Sequence, residues 1–233
     1  MKKLISIVLC LLILFATVSC SADNGSQKGD GAGQSASTAD ADNNITKAPA
    51  DELVELGTVD GRRYENTFVG IGTKLPEAWE YYSETQLKKL NNCAEDMPED
   101  EYIAKVSKAT AVIDMYAFHK NGTGTIEVTM EKIPEKDLST FKLEDYYEKY
   151  KSAYETYYKD MGYKDIAFTT ESISFSGHDA TALKMTAKDT LDTDVYQIFV
   201  AGLKGNYCYC ISLTSFEEDQ TGIVSDFFYA IEE

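Results

Sequence analysis

The sequence predicts an α+β domain in which helices pack on an antiparallel sheet, and three stretches carry that prediction. Thr110 to His119 and Thr125 to Ile133 are two extended runs joined across Asn121-Gly122-Thr123-Gly124, a hairpin signal. Four further short extended runs, Ile166 to Phe175, Ala180 to Ala187, Val195 to Leu203 and Tyr207 to Thr214, follow one another across short turns, the signature of an antiparallel meander. Between the two groups lies LEDYYEKYKSAYETYYKDMG. There Leu143, Tyr147, Tyr150, Tyr154, Tyr157 or Tyr158, and Met161 recur at helical spacing, and Gly162 follows as a C-terminal cap.

The chain reaches that domain in two steps. Residues 1–19 have the form of a signal peptide: Lys2 and Lys3 give a positive start, Leu4 to Val18 is an almost unbroken apolar run, and Ser19 is small. Cys20 at the cut makes the segment resemble a bacterial lipoprotein signal, although Thr17 stands where such signals more often carry Leu. That resemblance implies a diacylglyceryl group on Cys20. A single acyl chain holds a protein to a bilayer only marginally, whereas two anchor it stably. The apolar run is shorter than the roughly 20 residues of a spanning helix and gives way at once to a polar tract.

Lipidated Cys20 and the residues up to 50 form the second step. Residues 21–50 are dominated by Gly, Ser, Ala, Asp and Asn, with Ile45 as the one large aliphatic side chain, so they cannot bury enough apolar area to offset the entropy of ordering. A linker of that length and composition spans about 30 Å. Residues 51–233 are then expected to form one globular domain, since about 180 residues can bury a single good core and are too few for two ordinary ones.

Within the domain, Asp60-Gly61 marks a turn between short strands, and Phe68 to Leu75 reads as a strand whose Gly70 and Gly72 suit a bulge or a close backbone contact. Ser83 with Gln86 three residues on is a capping box that opens a helix to about Cys93. Asp100 to Lys108 is compatible with a second short helix or an irregular segment. In the second hairpin strand Ile126, Val128, Met130 and Lys132 alternate with Thr125, Glu127, Thr129 and Glu131, which predicts one buried face and one wet face. Ile223, Phe227, Phe228 and Ala230 are spaced for an amphipathic helix over Asp219 to Ile231.

Tyr64-Glu65-Asn66, leading through Phe68 and Ile71 to Leu75-Pro76-Glu77-Ala78-Trp79, resembles the opening strand and Leu-Pro-x-x-Trp turn of the PsbP-like family. The resemblance covers Tyr64 to Ile231, the later part by element order alone. It implies an α/β/α sandwich, with helices packed on both faces of the antiparallel sheet. Members of that family serve in assembly, in interaction and in small-GTPase regulation, and no catalytic residue set carries over.

Composition narrows the functions. The formal net charge is −17, and losing Lys2 and Lys3 with the signal takes the mature chain to −19, which repels phosphate backbones and argues against nucleic acid as a partner. After Cys10 and Cys20 are accounted for, Cys93, Cys208 and Cys210 remain, so at least one is expected to lack a partner within the chain. Cys208 and Cys210 are two apart on one strand face, a poor geometry for bridging each other. Two histidines, His119 and His178, both near turns, do not complete a metal site or a nucleophile–base pair. Asp189, Asp192 and Asp194 crowd one turn but lack the glycine and glutamate of an EF-hand loop.

These observations lead to an expectation of no catalytic residues, no metal and no cofactor. The chain is expected to meet the membrane through lipid on Cys20, at the extracytoplasmic face, as a non-enzymatic module that binds a protein or small ligand of the cell envelope. A solute-binding lipoprotein of a transporter is the alternative. The aromatic stripe is expected to pack on the sheet, with Tyr146 and Tyr158, nearest its edge, as the residues to test for ligand contact.

Overall fold

A computed structural model describes residues 54–231. The expected signal, Cys20 and the expected linker lie outside the described residues, as do residues 51–53 and the last two positions. Two antiparallel sheets make the body. The large sheet has seven strands in the order β4-β5-β6-β10-β9-β8-β7: β4 Trp79–Tyr81, β5 Ala111–His119, β6 Gly124–Lys132, β7 Lys164–Phe175, β8 His178–Lys188, β9 Asp194–Lys204 and β10 Tyr207–Phe216. The small sheet has four, β1-β2-β3-β11: β1 Thr58–Asp60, β2 Arg63–Asn66, β3 Ile71–Lys74 and β11 Phe228–Ala230. Helices α1 Glu84–Leu90, α2 Glu99–Val106, α3 Leu143–Asp160 and the single turn α4 Val224–Phe227 complete it.

Sheets dominate this arrangement, and it departs from the expected layers in a specific way. The outer face of the large sheet carries the long helix α3, with α1 beside it toward β4 and β5. The inner face is covered chiefly by the small sheet, with short α2 and α4 alongside: Tyr64, Ile71, Leu75, Tyr102, Val106, Val224 and Phe228 all join its core. Helices on both faces is therefore too simple a description. The opening strands are short, and β11 closes their edge by pairing with β3 from Phe228 to Ala230. That pairing also explains why the expected terminal helix shrinks to a 3-10 turn, Thr221–Ile223, running into the α turn Val224–Phe227. Phe228 at 4% exposure is buried in the inner core, and an aromatic run beside an open strand edge gains ladder hydrogen bonds that a helix could not offer it.

Elsewhere the local chemistry acts as expected. Ser83 Oγ accepts from Gln86 N while Gln86 Oε1 accepts from Ser83 N at 2.9 Å, so α1 begins with a complete capping box. Helix α3 ends just before Gly162, which takes φ +85°, a value that side-chain-bearing residues avoid. Gly72 allows the close approach its position suggests, since a Cβ there would meet the Tyr229 ring at 2.6 Å. The meander β7 to β10 pairs in chain order, and β10 continues onto β6, joining meander to hairpin.

Two junctions fix the layers. A register shift in β5 between Ile113 and Met115 turns Asp114 inward, toward the small sheet. Its carboxylate there accepts from the Tyr64 hydroxyl, from Asn66 Nδ2 at 2.6 Å and from Gly57 N at 2.8 Å. On the other face, Tyr147 stands where β8 stops pairing with β9. Its hydroxyl donates to Thr181 O at 2.7 Å and accepts from Ala201 N at 2.9 Å, tying α3 to both strands.

Candidate functional site

The aromatic stripe of α3 is a packing face. Tyr146, Tyr147, Tyr150, Tyr154, Tyr157 and Tyr158 are all buried against Leu183, Met185, Phe199, Ala201, Cys208 and Cys210. Tyr146 and Tyr158, singled out for ligand contact, are 3% and 2% exposed. The Tyr146 hydroxyl donates to Tyr150 Oη at 2.7 Å, and the Tyr158 hydroxyl to Gln197 Oε1 at 2.8 Å. Both are interior side chains with partners inside the protein. Burial pushes both phenols well above their usual range, so they stay neutral.

The expected wet face of β6 is not wet. Glu127 is 6% and Thr129 8% exposed, because β6 runs inside the sheet with β5 and β10 on either side and the Tyr116, Tyr154 and Tyr158 side chains close by. Strand register shows what surrounds them. Glu127 lies opposite Tyr116 on β5 and Ser212 on β10, and Ser212 lies opposite Phe199 on β9. Two residues along, Phe118, Thr125, Thr214 and Gln197 form the next row on the same face. Helix α3 covers the far end of these rows through Tyr158 on Gln197 and Tyr154 against Phe199, whose rings lie 4.9 Å apart. Helix α1 flanks the near end, where Leu87, Leu90 and Tyr82 pack with Ile113 and Tyr116.

Between the helices lies a strip whose floor is half-exposed at Phe118, Thr125, Ser212 and Thr214, with Tyr82 at its side. Glu127 and Gln197 sit buried below it. Tyr82 stacks on Tyr116 at 4.5 Å and meets Phe118 edge-on at 5.8 Å. Burial alone raises the Glu127 carboxyl to about 8, so at neutral pH it is mostly protonated. The strip therefore offers hydroxyls, an amide, aromatic rings and one acid that can give or hold a proton.

The other buried acids and the thiols are occupied or closed off. Glu131 is raised by burial, which Lys149 at 3.6 Å partly offsets. Cys93, Cys208 and Cys210 are free and buried, and burial pushes the Cys208 and Cys210 thiols far up, away from the nucleophilic thiolate. His119 packs edge-on against Trp79 at 5.2 Å, and its Nδ1 faces Asn121 and Thr123. His178 begins β8 beside the Ser176-Gly177 turn and is exposed. Among the described residues no group of three or more His, Cys, Asp or Glu side chains is placed to hold a metal ion.

Glu127, Gln197, Ser212 and Thr214 did not stand out in the sequence. The available signal was Glu127 itself, an acid next to the central residue of a nine-residue strand that has long strands for neighbours.

No family model matches the chain, and no curated protein does. Solved structures similar to it include the cyanobacterial PsbP protein CyanoP from Synechocystis sp. PCC 6803, at 12% identity and TM-score 0.45, over 79% of this chain and 98% of that one. A protein from Bacteroides thetaiotaomicron is similar at 10% identity and TM-score 0.36, over 75% of this chain and 50% of that one. LpqN, involved in cell envelope biogenesis of Mycobacterium tuberculosis, is similar at 10% identity and TM-score 0.38, over 70% and 83%.

Proposed function

We propose that the protein is a membrane-anchored extracytoplasmic lipoprotein whose domain acts as a non-enzymatic binding module of the cell envelope, with the strip between α1 and α3 as its ligand site. The observation that carries the binding role is that strip. It is the part of the outer face where polar side chains from β6, β9 and β10 gather under only partial cover. The anchoring half of the reading rests on the lipoprotein-like signal ending at Cys20 and on the polar linker after it. Among the described residues no helix is long and apolar enough to cross a membrane.

A binding role is favoured over turnover by the state of the nucleophile candidates. The Cys208 and Cys210 thiols are held protonated by burial, and the His119 ring is engaged by Trp79, Asn121 and Thr123. Two measurements test the reading. Fractionation of cells expressing the protein and its Cys20→Ala variant should show the first in the membrane fraction and the second released. A thermal-shift screen with amines, sugars and short peptides should raise the melting temperature for at least one class. Retention of the variant in the membrane fraction would contradict the anchor, and no shift with any class would contradict the site.

A further inference from the structure

Three acids of β5 and β6 are withdrawn from water, and two of them have their charge provided for. Asp114 receives three hydrogen bonds, and Glu131 faces Lys149 through Oε1, although its Oε2 is buried without a hydrogen-bond partner. Glu127 is as buried as Asp114, yet among the described residues no cation pairs with it and no donor reaches it. The titratable groups facing it are Tyr116 from β5, Tyr154 and Tyr158 from α3 and Cys210 from β10, all held neutral by burial, with Glu131 four residues along its own strand. Every side chain that could answer a carboxylate is thus uncharged, and several are aromatic. A buried carboxylate without a partner is costly, a cost the Glu127 carboxyl avoids by keeping its proton, and a positive charge entering from outside is what would let it ionise.

The rest of the strip suits such a visitor. The Tyr116, Tyr82 and Phe118 rings stand together beside Glu127, and aromatic faces attract ammonium ions. Phe118, Thr125, Ser212 and Thr214 leave the floor half-open to solvent. A chain of net charge −17 also raises the concentration of cations near its surface.

We propose that this strip binds a small organic ammonium ion, with the Glu127 carboxylate as its counter-charge and Tyr116, Tyr82 and Phe118 as its aromatic wall. The proposal rests on the reading of the strip as a ligand site and names the class of ligand. On binding, the Glu127 carboxyl gives its proton to solvent while the ammonium keeps its own, so net charge in the complex is balanced.

The test is calorimetric titration of the full chain in detergent at pH 7 with n-butylammonium chloride, n-butanol and methyl glucoside. Butylammonium should bind at least about tenfold more tightly than n-butanol, the margin of a charge-assisted hydrogen bond over a neutral contact. The heat measured in buffers of different ionisation enthalpy should show about one proton released. Glu127→Gln should lose at least about tenfold in butylammonium affinity and abolish the proton release. Phe118→Ala should weaken binding and leave the release in place. Should Glu127→Gln fail to fold, the butylammonium–butanol comparison and the proton count on the unaltered protein still decide. Equal binding of butanol, unchanged affinity in Glu127→Gln or no binding of butylammonium would overturn the proposal. If methyl glucoside binds where butylammonium does not, the ligand class falls and the site stands; if none of the three binds, both fall.

Discussion

Tyr64 of the small sheet donates its hydroxyl to Asp114 of the large one, a hydrogen bond that spans the layer between them with both side chains buried. The contact depends on the irregularity in β5 that turns Asp114 inward, so a local flaw in strand pairing becomes the joint between two sheets.

Removing either partner should therefore loosen the whole body. Tyr64→Phe deprives a buried carboxylate of one donor and should cost about 1.5–3 kcal/mol. Asp114→Ala orphans the Tyr64 hydroxyl and Gly57 N, leaves Asn66 Nδ2 with Glu55 O as its remaining oxygen acceptor, and should cost about 3–5 kcal/mol. Urea denaturation is the measurement, with the midpoint falling and the slope unchanged. A midpoint within error of the parent for Asp114→Ala would show that the joint carries no stability.

Stability should rise on mild acidification. Burial raises the Glu127 carboxyl from 4.5 to about 8. Between those values the folded protein keeps the proton and the unfolded chain has released it, so lowering the pH through this window favours the folded state. The gain is on the order of 4 kcal/mol. Asp114 and Glu131 are raised as well, also by burial first, and act in the same direction. Asp219 is held low by Lys184 and Thr221 despite partial burial, and exposed Glu155 by Lys159, so any opposing loss begins only at more acidic pH. Urea midpoints at pH 5, 6, 7 and 8 should fall steadily. In Glu127→Gln the slope should flatten and the protein should be more stable than its parent at pH 8. A parent midpoint independent of pH would contradict the environment assigned to Glu127.

The thiols should be silent until the fold opens. Cys93, Cys208 and Cys210 are buried and free, and burial holds Cys208 and Cys210 protonated. Reaction of the native protein with Ellman's reagent at pH 8 should be negligible over minutes, and in denaturant the same three should react. Rapid native labelling of Cys208 or Cys210 would mean that α3 lifts readily from β10.

Much of the framework was legible in the residues, because each element carries its own periodicity or punctuation. The capping box at Ser83, the stripe on α3 and the turns between β7 and β10 appear where the pattern puts them. What the pattern hid was long-range. The terminal segment has helical spacing at Ile223, Phe227 and Phe228, yet the open edge of β3 claims its last residues, and that edge exists only once the chain has folded back. Glu127 alternates like a solvent-facing residue, and it is buried because elements distant in sequence close over it. Tyr146 and Tyr158 sit at the edge of the stripe on a helical wheel, but the sheet beneath is broad enough to cover them too. The candidate site was thus unreadable for a physical reason: its members come from β5, β6, β9 and β10 and meet only through strand register.

The most direct test of the central claim is the intact mass of the protein extracted from the membranes of a cell that makes it. The account predicts a chain that begins at Cys20 and carries the mass of a diacylglyceryl group, with the nineteen preceding residues gone. A chain that still begins at Met1 and carries no lipid would contradict it.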